Sequence, residues 1–390
     1  MKKGLASIIE KSKSIIIKYR YENGQVEFKE IPFNNYFYIF IEDLQKVKQL
    51  LSSFDLKYKW AGDYVKIILQ NNYDRYNVMN TLHQSGILTF EADLDSAKRY
   101  IVDNDLEVNA ECLNYLFYDI ETMDTVPFEK DLNDNVIAIT PILSIAYIDN
   151  EGNKYYIKNE NQKNPIEGEK EILKKHLRII SNYDIVLGWN SRKFDDSYVK
   201  QRCDYHNLDW KRIYNQINFI DYMELFKTYY KLEEYKLDYV SEKMLDMKKV
   251  EIGEKGHGTI YNLWKDSFNK PEESFEELIS KYNTDDEIIT LKSYNFKDVW
   301  LMYLLEQKYT LIDNLNAIAN IVGAPPKYVM DSSSICDVVF LKEYNKMGIR
   351  SPTKNSIDLS GNIYKFKIEF DDDLQPIKLI YKTFNGDKNE

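Results

Sequence analysis

Asn114-Tyr-Leu-Phe-Tyr-Asp-Ile-Glu-Thr122 is the stretch on which the fold turns. Its aromatic and aliphatic run from Tyr115 to Tyr118 reads as a buried strand, and it ends in two carboxylates, Asp119 and Glu121. Side chains alternate along a strand, so Asp119 and Glu121 share one face with Tyr115 and Phe117. Two anions that close repel, and one must take up a proton unless a cation stands between them. A divalent ion removes the conflict. Read alone, the tripeptide is equally an acidic strand end, and its meaning depends on residues farther along the chain.

Downstream, Tyr183 to Asn190 carries the apolar core Ile185-Val186-Leu187 of another strand, then Asn190-Ser-Arg-Lys-Phe-Asp-Asp-Ser-Tyr198 at a strand-to-helix junction. Ligands gather at such junctions in open α/β sheets, while Ser191, Asp195 or Asp196 would serve equally well as helix caps. Farther on, Thr284-Asp-Asp-Glu287 has the form of a capping box, which predicts a helix from Thr284 to about Leu305. Its apolar stripe, through Ile288, Leu291, Leu301 and Leu305, also takes in Asp298, with Tyr294 one turn earlier. A carboxylate in such a stripe needs a cation, a metal or several donors.

Taken together, an Asp-x-Glu ending a strand, an Asn-x-x-x-Phe-Asp at a strand-to-helix junction and a Tyr-x-x-x-Asp inside a late helix resemble the DEDDy class of 3′ to 5′ exonucleases. The match extends outward. Phe90-Glu-Ala-Asp93 with Lys98-Arg-Tyr-Ile-Val-Asp103 resembles the link before the exonuclease domain of family B DNA polymerases. Phe219 to Phe226 and Tyr235 to Val240 look like that family's later exonuclease segments. The opening hairpin, and Tyr328 to Ile349, are most similar to polymerases of the tailed-phage branch, so the resemblance covers about residues 15 to 350. It implies an α/β chain: a ribonuclease H-like mixed-sheet exonuclease domain over 106–330, and a smaller mixed α/β N-terminal domain built from 1–105 with a return segment over 331–390. Ser14 to Tyr21 and Gln25 to Ile31 around Asn23-Gly24 agree with an opening hairpin, and Gly323-Ala-Pro-Pro326 punctuates the chain before the return.

The resemblance also implies roles. Asp119, Glu121, Asp195 and Asp298 would hold two Mg²⁺ ions, with Mn²⁺ able to substitute, and Tyr294 would orient the attacking water. Thr122 and Met123 would border the terminal nucleotide, and Asn190 and Phe194 the strand's path. Oxygen-only ligands suit Mg²⁺, and two such ions about 4 Å apart serve both oxygens of an in-line phosphodiester displacement. Arg192, Lys193 and Lys297 are candidates to track a DNA backbone, or else ordinary surface. Two departures stand out. No Ser-Leu-Tyr-Pro-Ser and no Asp-Thr-Asp of a polymerase palm are present, which implies a separate palm-bearing partner chain or a truncation. Between Asp195 and Asp221 there is little room for the strand-separating hairpin that phage relatives often carry.

As partners the resemblance implies single-stranded DNA 3′ ends and primer-template DNA; bulk properties bound the reading without pointing to them. The chain has 390 residues, enough for two or three domains, and 44% hydrophobic residues. A mean hydropathy of −0.52 describes a globular protein. No apolar run reaches the roughly 18–20 residues of a membrane span, and Met1 to Glu10 lacks a signal-peptide core, so the expected location is cytoplasmic, in the host if the source is viral. Cys112, Cys203 and Cys336 are too scattered for a disulfide framework or a zinc site. A net charge of −11 disfavours indiscriminate coating of nucleic acid and is compatible with a local groove. Two other functions compete: a stand-alone DEDD nuclease on DNA or RNA ends, and an idle scaffold that binds nucleic acid and a polymerase.

Overall fold

The computed structural model describes residues 2–131, 136–249, 258–282 and 289–354, together with the backbone of 363–370 and 376–384. The chain opens with an antiparallel three-stranded sheet, Lys3–Glu10, Ser14–Tyr21 and Val26–Pro32. Its turn is closed by Gly24, whose φ of +82° suits a residue without a Cβ. The first strand is not evident from sequence. Leu5, Ala6 and Ile8 are buried in it, but its run lacks the regular alternation that marks a half-exposed strand.

A second antiparallel sheet comes next, ordered Leu56–Ala61, Tyr64–Leu69, Tyr36–Phe40, Thr89–Phe90. The helices Leu44–Leu50 and Arg75–Gln84 bring Val47, Val78 and Leu82 into one core with Phe37, Ile39, Val65 and Ile67. The other sheet face carries Tyr36, Tyr38 and Phe90. The helix Ser332–Met347 and the residues after it return to this region. Asp337 pairs with Lys98, Ser351 N–H donates to Glu91 Oε1 at 3.2 Å, and Pro352 bridges to Phe90.

Along the chain between these segments runs a five-stranded mixed sheet, ordered Lys154–Lys158, Ile142–Asp149, Tyr115–Thr122, Ile185–Gly188, Asn218–Asp221. The first two strands run antiparallel to their neighbours, and the last two run parallel to the central strand. Strand Tyr115–Thr122 is apolar on both faces because both are covered. Leu116, Tyr118 and Ile120 pack with Ile172, Leu173 and Leu177 of the helix Pro165–Ile180. Phe117 joins the core that holds Phe296 and Val299 of the helix Leu291–Tyr309. Asp184 ties this sheet to the opening one, accepting from Lys18 at 2.8 Å and pairing with Arg20, all three buried.

Two expectations are corrected. The late helix begins at Leu291, not Thr284. Thr284 to Glu287 lie outside the described residues, and the N-terminus is instead closed by a capping box in which Thr290 and Ser293 exchange side-chain and backbone bonds. Lys297 is not on an approach surface. It is 4% exposed, its ammonium 4.2 Å from the Tyr282 ring centroid. The interval from Asp195 to Asp221 is occupied by the helices Asp195–Tyr205 and Lys211–Tyr214 and by the strand Asn218–Asp221, with no added hairpin. No helix among the described residues is long and apolar enough to cross a membrane.

Candidate active site

Parallel pairing aligns Leu187 with Phe117 and Gly188 with Asp221, so the three strand ends open onto one edge of the sheet. There the chain leaves Gly188 in a tight turn. A Cβ on Gly188 would lie 2.7 Å from the Ser191 Cβ, so glycine is required for the close approach. Asn190 adopts a left-handed conformation, φ +57°, and its N–H donates to Asp221 Oδ1 at 3.0 Å. Asp221 Oδ2 accepts from Arg192 N–H at 3.3 Å. One aspartate thus shapes the loop that delivers Asp195, whose Oδ1 receives the Ile120 N–H at 3.4 Å.

Asp119, Glu121, Asp195, Tyr294 and Asp298 line a single cleft of about 1500 Å³, with Thr122, Asn190 and Phe194 on its walls. Met123 instead joins the apolar cluster of Leu143, Ile260 and Trp264. Arg192 and Lys193 flank a separate cleft of about 610 Å³ beside Lys327 and Asp331. Phe128, 48% exposed, borders the acidic cleft and meets Phe194 edge-to-face at 5.2 Å.

The electrostatics result from crowding. Burial, then the charges of Asp298 and Asp195, push the Asp119 carboxyl well above the usual carboxylate range. Glu121 moves the same way, by burial and then by Asp298. Asp195 is pushed up to about 8, by burial and then by Asp196. Burial likewise raises the Tyr294 phenol, which keeps its proton at neutral pH. A positive charge already sits in this field: the Lys249 ammonium pairs with Asp298. Burial alone would lower its pKa, but Asp298 and Asp119 outweigh burial and raise it. The Lys249 ammonium thus occupies a position where the acids attract a cation. Asp119, Glu121, Asp195 and Asp298, with no histidine or cysteine among the described residues that line the cleft, make a hard, oxygen-only donor set of the kind that suits a divalent metal ion.

Sequence reasoning missed several residues of the site. Asn295 donates to Asp119 Oδ2 at 2.8 Å, and Asp124 accepts the N–H groups of Ile260 and Tyr261, both at 3.0 Å, at the start of the helix Thr259–Asp266. Asn295 lies beside Tyr294 and is within reach of the pattern. Lys249 is 49 positions from Asp298 and carries no local signal.

Residues 116–296 match the family model described as RNase_H superfamily, and the mixed sheet is ribonuclease H-like. The DNA polymerase of Thermococcus kodakarensis is 28% identical over 225 residues, which cover 50% of this chain and 13% of that protein. That of Pyrococcus horikoshii is 24% identical over 374 residues, covering 84% of this chain and 28% of its own length. The solved family B DNA polymerase of Pyrobaculum calidifontis shares the fold with a TM-score of 0.59 at 17% identity, across 94% of this chain and 52% of that one. The chain therefore spans 13% and 28% of the length of these two curated relatives.

Proposed function

We propose that this chain is the N-terminal and 3′ to 5′ exonuclease region of a family B DNA polymerase, removing 3′-terminal nucleotides as a proofreader during DNA replication. The observation that carries the reading is the convergence of Asp119, Glu121, Asp195, Asp298 and Tyr294, drawn from three distant segments, on one cleft. The similarity to DNA polymerases over 84% of the chain supports it further. In this reading residues 1–105 and 331–390 form the N-terminal domain, 106–330 the exonuclease, and the protein works in the cytoplasm with a palm-bearing polymerase chain on primer-template DNA.

Asp119, Glu121 and Asp298 would hold one Mg²⁺, and Asp119 with Asp195 a second. When bound, the pair supplies a hydroxide nucleophile and neutralises charge on the leaving oxygen. The chain's own contribution is orientation. The neutral Tyr294 hydroxyl hydrogen-bonds and aims the attacking water. Phe194 and Phe128 offer stacking faces to unpaired bases, Thr122 borders the terminal nucleotide, and Asn190 with Phe194 shapes the strand's path.

The test is incubation of 5′-labelled single-stranded DNA with the purified chain and Mg²⁺. A ladder shortening from the 3′ end is expected, absent in Asp119→Ala. Undiminished cleavage by that variant would refute the assignment. Parallel RNA substrates separate DNA from RNA preference, and co-purification from the native source identifies any palm-bearing partner.

A further inference from the structure

Asn295 is fully buried, and its side chain is spent on a single neighbour and one support. Its Nδ2 donates to Asp119 Oδ2 at 2.8 Å and to the Asp119 carbonyl oxygen at 3.1 Å. Its Oδ1 accepts from the hydroxyl of Ser144, also fully buried, at 3.0 Å. The amide's orientation is dictated by chemistry. A carbonyl oxygen only accepts, so the NH₂ end must face Asp119 and the oxygen end must face Ser144. Ser144 is itself placed by the sheet, opposite Glu121 in the antiparallel register.

We propose that Asn295, steadied by Ser144, is a positioning residue for the metal ligand Asp119, an inference that rests on the function proposed above. A carboxylate on a strand end rotates about its Cβ–Cγ bond unless something holds it. Asn295 grips one oxygen and the backbone of the same residue, which fixes that rotation relative to the strand. Because Asn295 lies on the same helix as Tyr294 and Asp298, the grip also sets the helix against the strand. Asp119 and Asp298 are thereby held in one arrangement before any ion arrives. Outer partners that orient ligands in this way commonly change metal affinity 10–100-fold when removed.

The experiment measures Mn²⁺ binding to the metal-free full chain by isothermal titration calorimetry, alongside melting in EDTA. Asn295→Leu keeps the volume and removes both donors; it is expected to weaken Mn²⁺ binding about tenfold or more. Ser144→Ala leaves Asn295 in place but unsupported; a several-fold loss with little change in melting is expected, and the double variant should bind no worse than Asn295→Leu alone. Wild-type affinity in a folded Asn295→Leu, or effects of the two changes that multiply as if independent, would overturn the proposal. Should Asn295→Leu fail to fold, Ser144→Ala decides, since unchanged affinity there breaks the relay. Asp119→Ala separates the two levels. If it retains wild-type Mn²⁺ binding, the site itself is misassigned. If it loses binding while Asn295→Leu does not, only the relay fails.

Discussion

Removing divalent ions should make stability depend on pH in a direction opposite to that of most acidic proteins. Asp195 has a folded-state pKa of about 8 against the ordinary 3.8, because burial and Asp196 penalise its charge. At 1.36 kcal/mol per pKa unit, ionising it in the metal-free fold costs on the order of 5 kcal/mol more than in the unfolded chain. Its folded pKa lies above its unfolded one, so the folded state binds more protons between these values and stability falls as pH rises. Stability from this group is therefore complete below about pH 4, drains away through about pH 8 and is flat beyond. Asp119 and Glu121 are raised too and act with the same sign. Thermal melting in EDTA from pH 5 to 8.5 checks this, with Asp195→Asn as the comparison. The variant should lose less stability than wild type as pH rises and should melt several degrees higher than wild type near pH 8. Saturating Mg²⁺ should flatten the wild-type profile. Parallel pH profiles for wild type and Asp195→Asn in EDTA would refute the claim that Asp195 is a buried, charge-strained group.

The geometry sets three further outcomes. Lys249→Met removes the ammonium paired with Asp298 and should destabilise the metal-free protein by roughly 3 kcal/mol, largely recovered with Mg²⁺; melting in EDTA and in Mg²⁺ reads this. Asp184→Asn leaves Lys18 and Arg20 buried without their anion, and urea unfolding should show a loss of about 3–5 kcal/mol whether or not metal is present. Phe128→Ala removes an aromatic face at the cleft's border and should weaken binding of single-stranded DNA by about 1–3 kcal/mol in fluorescence anisotropy, with melting unchanged.

How much of this is legible in the sequence can be traced residue by residue. Strand Tyr115–Thr122 announces itself as an aromatic and aliphatic run, strand alternation then places Asp119 and Glu121 on one face, and both line the cleft. The helix that carries Tyr294 and Asp298 is visible as an apolar stripe, but its start is misplaced by about two turns: Thr284-Asp-Asp-Glu287 lies outside the described residues, and the helix is capped by Thr290 and Ser293. Lys297 reads as surface because charge predicts exposure only on average; the Tyr282 ring beside it makes burial tolerable.

The sequence by itself determined the fold class and the central strand Tyr115–Thr122, and through the family resemblance it singled out five side chains, because strand and helix patterns are local and act within a few residues. Tertiary structure alone decided what surrounds those side chains: Lys249 against Asp298, Asn295 on Asp119, Asp221 bending the loop before Asp195. These contacts join residues up to 176 positions apart. No spacing rule reaches that far, since such pairs exist only once a five-stranded sheet has brought three strand ends and one helix to the same edge.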